Sequence, residues 1–188
     1  MAVVEVQPVT GQRAMGITVH TGWGACVVVG GSLEHPEIVA NLVIEVLGDD
    51  ERFCFHAAAG MNPRAARHWI ERMRKKALVA ARRALGPLMS KGVSVCAIVA
   101  KEGDPGDLAK ALASHPRTHT AEGCFYRDVF RDACPAQAHL IPPSSLDVSR
   151  VGKLAARPWG RDQKLAALAA WSLIGSAGRM ASTHAHLE

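Results

Sequence analysis

Residues 15–28 read Met15-Gly-Ile-Thr-Val-His-Thr-Gly-Trp-Gly-Ala-Cys-Val-Val28. Two β-rich runs, 14–20 (AMGITVH) and 25–30 (ACVVVG), flank His20-Thr-Gly-Trp-Gly24, whose Gly and Thr residues suit a tight turn. The reading is a β-hairpin. After a Gly-Gly-Ser break at 30–32, residues 38–47 (IVANLVIEVL) are apolar nearly throughout, as in a strand inside a sheet. Three strands in succession therefore open the chain.

Working outward, Asp49-Asp-Glu51 makes a polar turn and residues 53–59 read as a further short strand. Asn62 caps the clearest helix, and Pro63 suits its first position. Ala66, Trp69, Ile70, Met73, Ala77 and Ala81 form its apolar stripe, and Gly86-Pro87 is expected to stop it. Residues 92–100 (GVSVCAIVA) read as a buried strand and Asp107 to Ala113 as a short helix. A His/Pro/Thr-rich turn at 114–120 is expected to lead into a helix over 121–134. Residues 138–141 form a short strand halted by Pro142-Pro143, 144–156 are weakly helical, and a last helix begins near Trp159-Gly160. An antiparallel start followed by strand–helix–strand crossovers makes an α/β domain with a mixed sheet of about five strands, covered by helices.

With 188 residues, 48% of them hydrophobic, the chain is expected to form one domain over 1–174 and a polar tail over 175–188, whose Leu187-Glu188 suggests a tag-derived end. No apolar run approaches the ~18 residues of a membrane helix, and the start has neither a basic segment nor a long apolar one. The five cysteines (Cys26, Cys54, Cys96, Cys124, Cys134) are odd in number and lack C-x-x-C spacing, so they read as reduced residues of a cytoplasmic protein. The net charge of +5 makes a polyanionic partner, nucleic acid above all, plausible.

Gly16-Ile17 and Thr21-Gly-Trp-Gly24, with that element order, resemble the ribonuclease H-like superfamily, nearest in look to the bacterial Holliday-junction resolvases. The stretch from Trp159 to Trp171 (WGRDQKLAALAAW) is similar to the family's last catalytic helix, and Asp162 matches its acid. Glu102 or Asp104 stands where the family carries another, at the end of the fourth strand. The resemblance implies a three-layer ribonuclease H-like domain and cleavage of phosphodiesters by two Mg²⁺ or Mn²⁺ ions held by carboxylates. It breaks at the first strand. The residue after Gly16-Ile17 is Thr18, where the family has an aspartate bridging both metals, and a threonine cannot replace a bridging carboxylate.

His20, Glu102, Asp104 and Asp162 are the candidate catalytic set, with Glu102 and Asp162 as metal ligands. Glu122 and His119 join them if the 114–120 turn folds over that edge. The alternative is that Glu102 and Asp104 decorate a loop and Asp162 opens a helix. His115, His119 and Cys124 are candidate ligands of a soft metal, and Cys124 with His119 a candidate nucleophile–base pair, although neither spacing matches a structural zinc pattern; the alternative has Thr120 capping a helix with Glu122 in its first turn. Arg64, Arg67, Arg74, Lys75 and Arg82 lie opposite the long helix's apolar stripe, either tracking phosphates or forming a solvated face. Two functions follow. One is a divalent-metal-dependent nuclease, or a protein derived from one, acting on nucleic acid. The other is a non-catalytic module of the same fold that binds nucleic acid or protein.

Overall fold

The computed structural model describes residues 13–151 and 159–184, with residue 150 and residues 175–184 given by backbone course alone. β1 (Arg13–His20), β2 (Trp23–Gly31) and β3 (Pro36–Glu45) form an antiparallel ribbon. α1 (Cys54–Ala58) and α2 (Pro63–Met89) lead to β4 (Val93–Val99), and α3 (Leu108–Leu112) and α4 (His115–Ala133) lead to β5 (Gln137–Ile141). After two single 3-10 turns, Pro143–Ser145 and Val148–Val151, comes α5 (Arg161–His184). The sheet order is β3-β2-β1-β4-β5. β1 lies in mid-sheet, antiparallel to β2 and parallel to β4, with Thr18 opposite Val99.

Side chains along β1 alternate between two helical layers, as a period of two requires. Met15 and Ile17 join Cys26 and Val28 in a core shared with Met73 and Ala77 of α2 and Phe125 and Phe130 of α4. On the other face, Ala14, Val27 and Val29 meet Ala166, Ala170 and Ile174 of α5, while Ala97 and Val99 meet Leu165 and Ala169. The result is a three-layer α/β domain.

α5 sits very close to β1. A Cβ at Gly16 would lie 1.8 Å from the Ala166 carbonyl oxygen, so the helix backbone fills the space a side chain would need. At the hairpin, His20 pairs with Trp23, leaving Thr21-Gly22 as the loop; Gly22 has φ +86, which glycine adopts without strain. Its carbonyl then accepts from Val46 N (2.8 Å) and Leu47 N (3.2 Å) and pins the end of β3 to the turn.

Several segments depart from the sequence reading. Residues 53–59 hold α1, not a strand. Its Phe55 N–H donates to the Glu122 carboxylate (3.2 Å), and its Cys54 carbonyl accepts from Trp69 Nε1 (3.0 Å), so the fixing partners lie in other helices. α2 runs through Gly86-Pro87 to Met89 because the buried Leu88 holds the last turn against the core. Pro87 has no N–H to give the carbonyl four residues back, a loss that the packing of Leu88 offsets. α4 begins at His115, six residues before expectation, with Pro116 in its first turn. Thr120 therefore caps nothing; its hydroxyl donates to the Pro116 carbonyl inside the helix (3.1 Å). α5 continues past Gly175, where a polar tail was expected, to His184. The start of the chain (1–12), the later part of the weakly helical segment (152–158) and Leu187-Glu188 lie outside the described residues. No helix among the described residues is long and apolar enough to cross a membrane.

Candidate functional site

Parallel pairing of β1 with β4 brings their carboxyl ends together, and the first turn of α5 crosses just above. A cavity of about 470 Å³ opens there, with Thr18, His20, Lys101, Gly123, Arg161 and Asp162 in its wall. The Thr18 hydroxyl donates to the Asp162 carbonyl (2.9 Å), tying α5's first turn to the strand. His20 stacks on Trp23, ring centroids 4.2 Å apart and 11° from parallel. Its Nε2 lies 3.1 Å from Asp162 Oδ1. That separation suits an ion pair, yet the direction is not that of a hydrogen bond, and this buried nitrogen has no other hydrogen-bond partner. Lys101 and Arg161 are exposed at the rim and form no ion pair among the described residues.

The other expected residues separate from this pair. Glu102 lines an adjoining hollow of about 460 Å³ that shares Lys101 and Pro143 with the first. Asp104 Oδ1 accepts from Gly106 N (2.8 Å), an Asx turn within its own loop. Glu122 and His119 turn away from this edge toward α1. Cys124 donates to the Gly103 carbonyl (3.4 Å) and does not pair with His119, five residues back on the same helix. Burial also raises the Cys124 thiol above its ordinary range, which disfavours a nucleophilic thiolate. Along α2, Arg74 is ion-paired with Asp132, and Arg82 donates to the Asp132 carbonyl (3.4 Å), joining α2 to the end of α4. Arg64, Arg67 and Lys75 are exposed and pair with no acid among the described residues.

A second constellation lies on α1 and α4. Because α4 starts at His115, His115 and His119 stand one turn apart on one face, and Glu122 follows on the next turn. His56 of α1 meets them, its ring 5.2 Å from His115 and 4.6 Å from His119. Glu122 is 1% exposed; one carboxylate oxygen accepts from Phe55 N and the other lies 2.9 Å from His56 Nδ1. Sequence reasoning missed His56, which sat in an expected strand and 59 positions before His115. The signal that finds it is the i, i+4 histidine pair, readable only once the helix is known to begin at 115.

No family model matches the chain, and no curated protein matches it. Among solved structures it is similar to the RuvC of Thermus thermophilus in complex with a Holliday junction substrate. The likeness covers 90% of this chain and 96% of that one, at 12% identity and a TM-score of 0.52. A further structure of Thermus thermophilus RuvC aligns over 90% of this chain and 97% of its own, at 11% identity and a TM-score of 0.48. The first likeness, with the strand order and layers above, shows a ribonuclease H-like fold.

Proposed function

We propose that this chain is a nuclease-derived protein that binds the phosphate backbone of nucleic acid at the carboxyl ends of β1 and β4. One observation carries the reading: Lys101 and Arg161, both exposed and without an ion pair among the described residues, line one cavity together with Thr18 and His20. Two such cations lining one hollow favour an anionic ligand, and charge-assisted hydrogen bonds from Lys and Arg suit phosphate oxygens. The net charge of +5 and the likeness to a RuvC bound to a Holliday junction substrate support nucleic acid as the source of the phosphates.

The donors in this cavity do not fit a carboxylate-bridged pair of hard cations. Thr18 offers a hydroxyl already used on the Asp162 carbonyl, Asp104 is taken up by its own turn, and no three-donor set forms at this edge among the described residues. A second reading rests on Asp162 and Glu102 lining adjoining hollows. These two acids would share a single Mg²⁺ or Mn²⁺, with His20 as an auxiliary ligand or base.

The test is binding of fluorescent duplex and four-way-junction DNA at several salt concentrations, by the wild type and by a Lys101→Ala/Arg161→Ala double variant. Each phosphate contact contributes about 0.9 to the slope of log affinity against log salt, so the double variant is expected to lower the slope by roughly 2. Unchanged affinity and slope would overturn the phosphate site. Cleavage that requires Mg²⁺ or Mn²⁺ and vanishes in Asp162→Asn would establish the second reading in its place.

A further inference from the structure

We infer that His56, His115 and His119 form a binding site for a borderline transition-metal dication such as Zn²⁺, with Glu122 as its outer-shell carboxylate. The site is separate from the cavity at the sheet edge, as none of these four residues lines that cavity. Each histidine offers one ring nitrogen, and the three lie within 4.8 Å of one another. Tetrahedral zinc, with Zn–N bonds of 2.0–2.1 Å, needs such nitrogens roughly 3.3 Å apart. The contraction falls mainly on His115 and His119, which are exposed and free to rotate toward the ion.

His56 is the preorganised ligand. A carboxylate oxygen accepts hydrogen bonds, so the 2.9 Å contact from His56 Nδ1 to Glu122 goes with the Nδ1–H tautomer and leaves the Nε2 lone pair for a metal. Glu122 is held in turn by the Phe55 N–H and by burial on every side, so the carboxylate cannot swing onto the ion itself. This carboxylate–histidine–metal arrangement fixes ring orientation and raises ligand basicity. Packing alone explains the cluster less well. Two of the three rings are exposed and bury little area, and three imidazoles brought together repel one another once protonated.

Three neutral nitrogens select the ion class. Imidazole suits Zn²⁺, Co²⁺, Ni²⁺ and Cu²⁺, whereas Mg²⁺ and Ca²⁺ require oxygen. Three protein ligands leave one tetrahedral position, and the exposure of His115 and His119 opens it to solvent. That is the ligand count of a catalytic rather than a closed structural zinc site. The bound ion would also join α1 to the first turn of α4, the two elements that supply the ligands.

The test is calorimetric titration of the full chain with ZnCl₂ and, separately, MgCl₂, alongside the visible spectrum with Co²⁺. Expected are one tight Zn²⁺ equivalent, no Mg²⁺ at that site, and the intense ligand-field bands of tetrahedral Co²⁺. His119→Ala, an exposed change that leaves the fold intact, should weaken Zn²⁺ at least tenfold and bleach the Co²⁺ bands. Glu122→Gln should weaken Zn²⁺ by about 10–100-fold. His68→Ala, on the exposed face of α2, should change neither. The site is overturned if wild type binds no Zn²⁺, if His115→Ala and His119→Ala bind it as wild type does, or if Mg²⁺ competes for it.

Discussion

Two histidine–carboxylate pairs stand in this molecule, and their geometries differ in a way that separates their work. His56 and Glu122 are 2.9 Å apart and hydrogen-bonded, and Glu122 also takes a backbone N–H. His20 and Asp162 are 3.1 Å apart but misaligned, each about one-third exposed, with the imidazole Nε2 unmet. The first pair is closed on itself and exports a fixed imidazole. The second is left open toward a cavity. A buried carboxylate must be satisfied internally, whereas one at a cavity mouth can wait for a ligand.

The largest expected effect falls on the seam that holds the open pair together. Gly16→Ala forces a methyl group into the Ala166 carbonyl, so α5 must lift from β1, at a cost of about 3 kcal/mol, the upper range for overpacking. Denaturant titration measures the loss. DNA affinity should fall with it while Zn²⁺ affinity holds, and equal losses of both ligands would erase the distinction between the regions.

Glu122→Ala comes next. It strands the Phe55 N–H and releases His56, at a cost of roughly 2–3 kcal/mol by the penalty for an unmet buried donor together with lost packing. Asp162→Asn should cost under about 0.5 kcal/mol, as a change at a partly exposed position. Equal costs would contradict the contrast. Thr18→Val should lose about 1 kcal/mol for one hydrogen bond and free α5's first turn, weakening DNA binding further than its stability cost implies.

The smallest effects are in thiol chemistry. Burial, with the nearby Glu122 charge, pushes the Cys54 thiol up to about 12. An unfolded chain's thiol ionises near about 8.5, so above that pH the unfolded state gains by ionising while the folded state does not. Stability contributed by the neutral Cys54 should thus be full below pH ~8.5 and decline as pH rises toward 12, readable in urea midpoints. Cys134 is lowered by the hydrogen bond from Cys96, so alkylation should mark Cys134 before the buried Cys26, Cys54 and Cys96. Glu122→Ala should speed Cys54 labelling by loosening α1.

Much of the fold was legible in the sequence because it was written locally. The hairpin followed from Thr21 to Gly24, buried β4 from its apolar run, and α2 from Asn62-Pro63 and its stripe. The apolar run at 38–47, expected inside the sheet, instead falls largely in β3 at its edge, only half-buried. The meeting of His20 with Asp162 came with the element order. What stayed hidden depended on partners far along the chain. α1 exists because Glu122, Trp69 and Tyr126 satisfy its backbone and the carbonyl before it, with Tyr126 donating to Arg52 O (2.6 Å), and no pattern within residues 53–59 records that. The same long-range cap concealed His56. Glu102 and Asp104 were placed on the correct loop, but a loop's own hydrogen bonds, here Asp104 to Gly106 N, decide where its acids point.

The most direct measurement follows the imidazole nitrogens by NMR while the full chain is titrated first with a short DNA duplex and then with Zn²⁺. The account predicts that duplex shifts the His20 ring signals and leaves those of His56 in place, and that Zn²⁺ does the reverse. A His20 signal indifferent to DNA, or one ligand moving both rings alike, would contradict it.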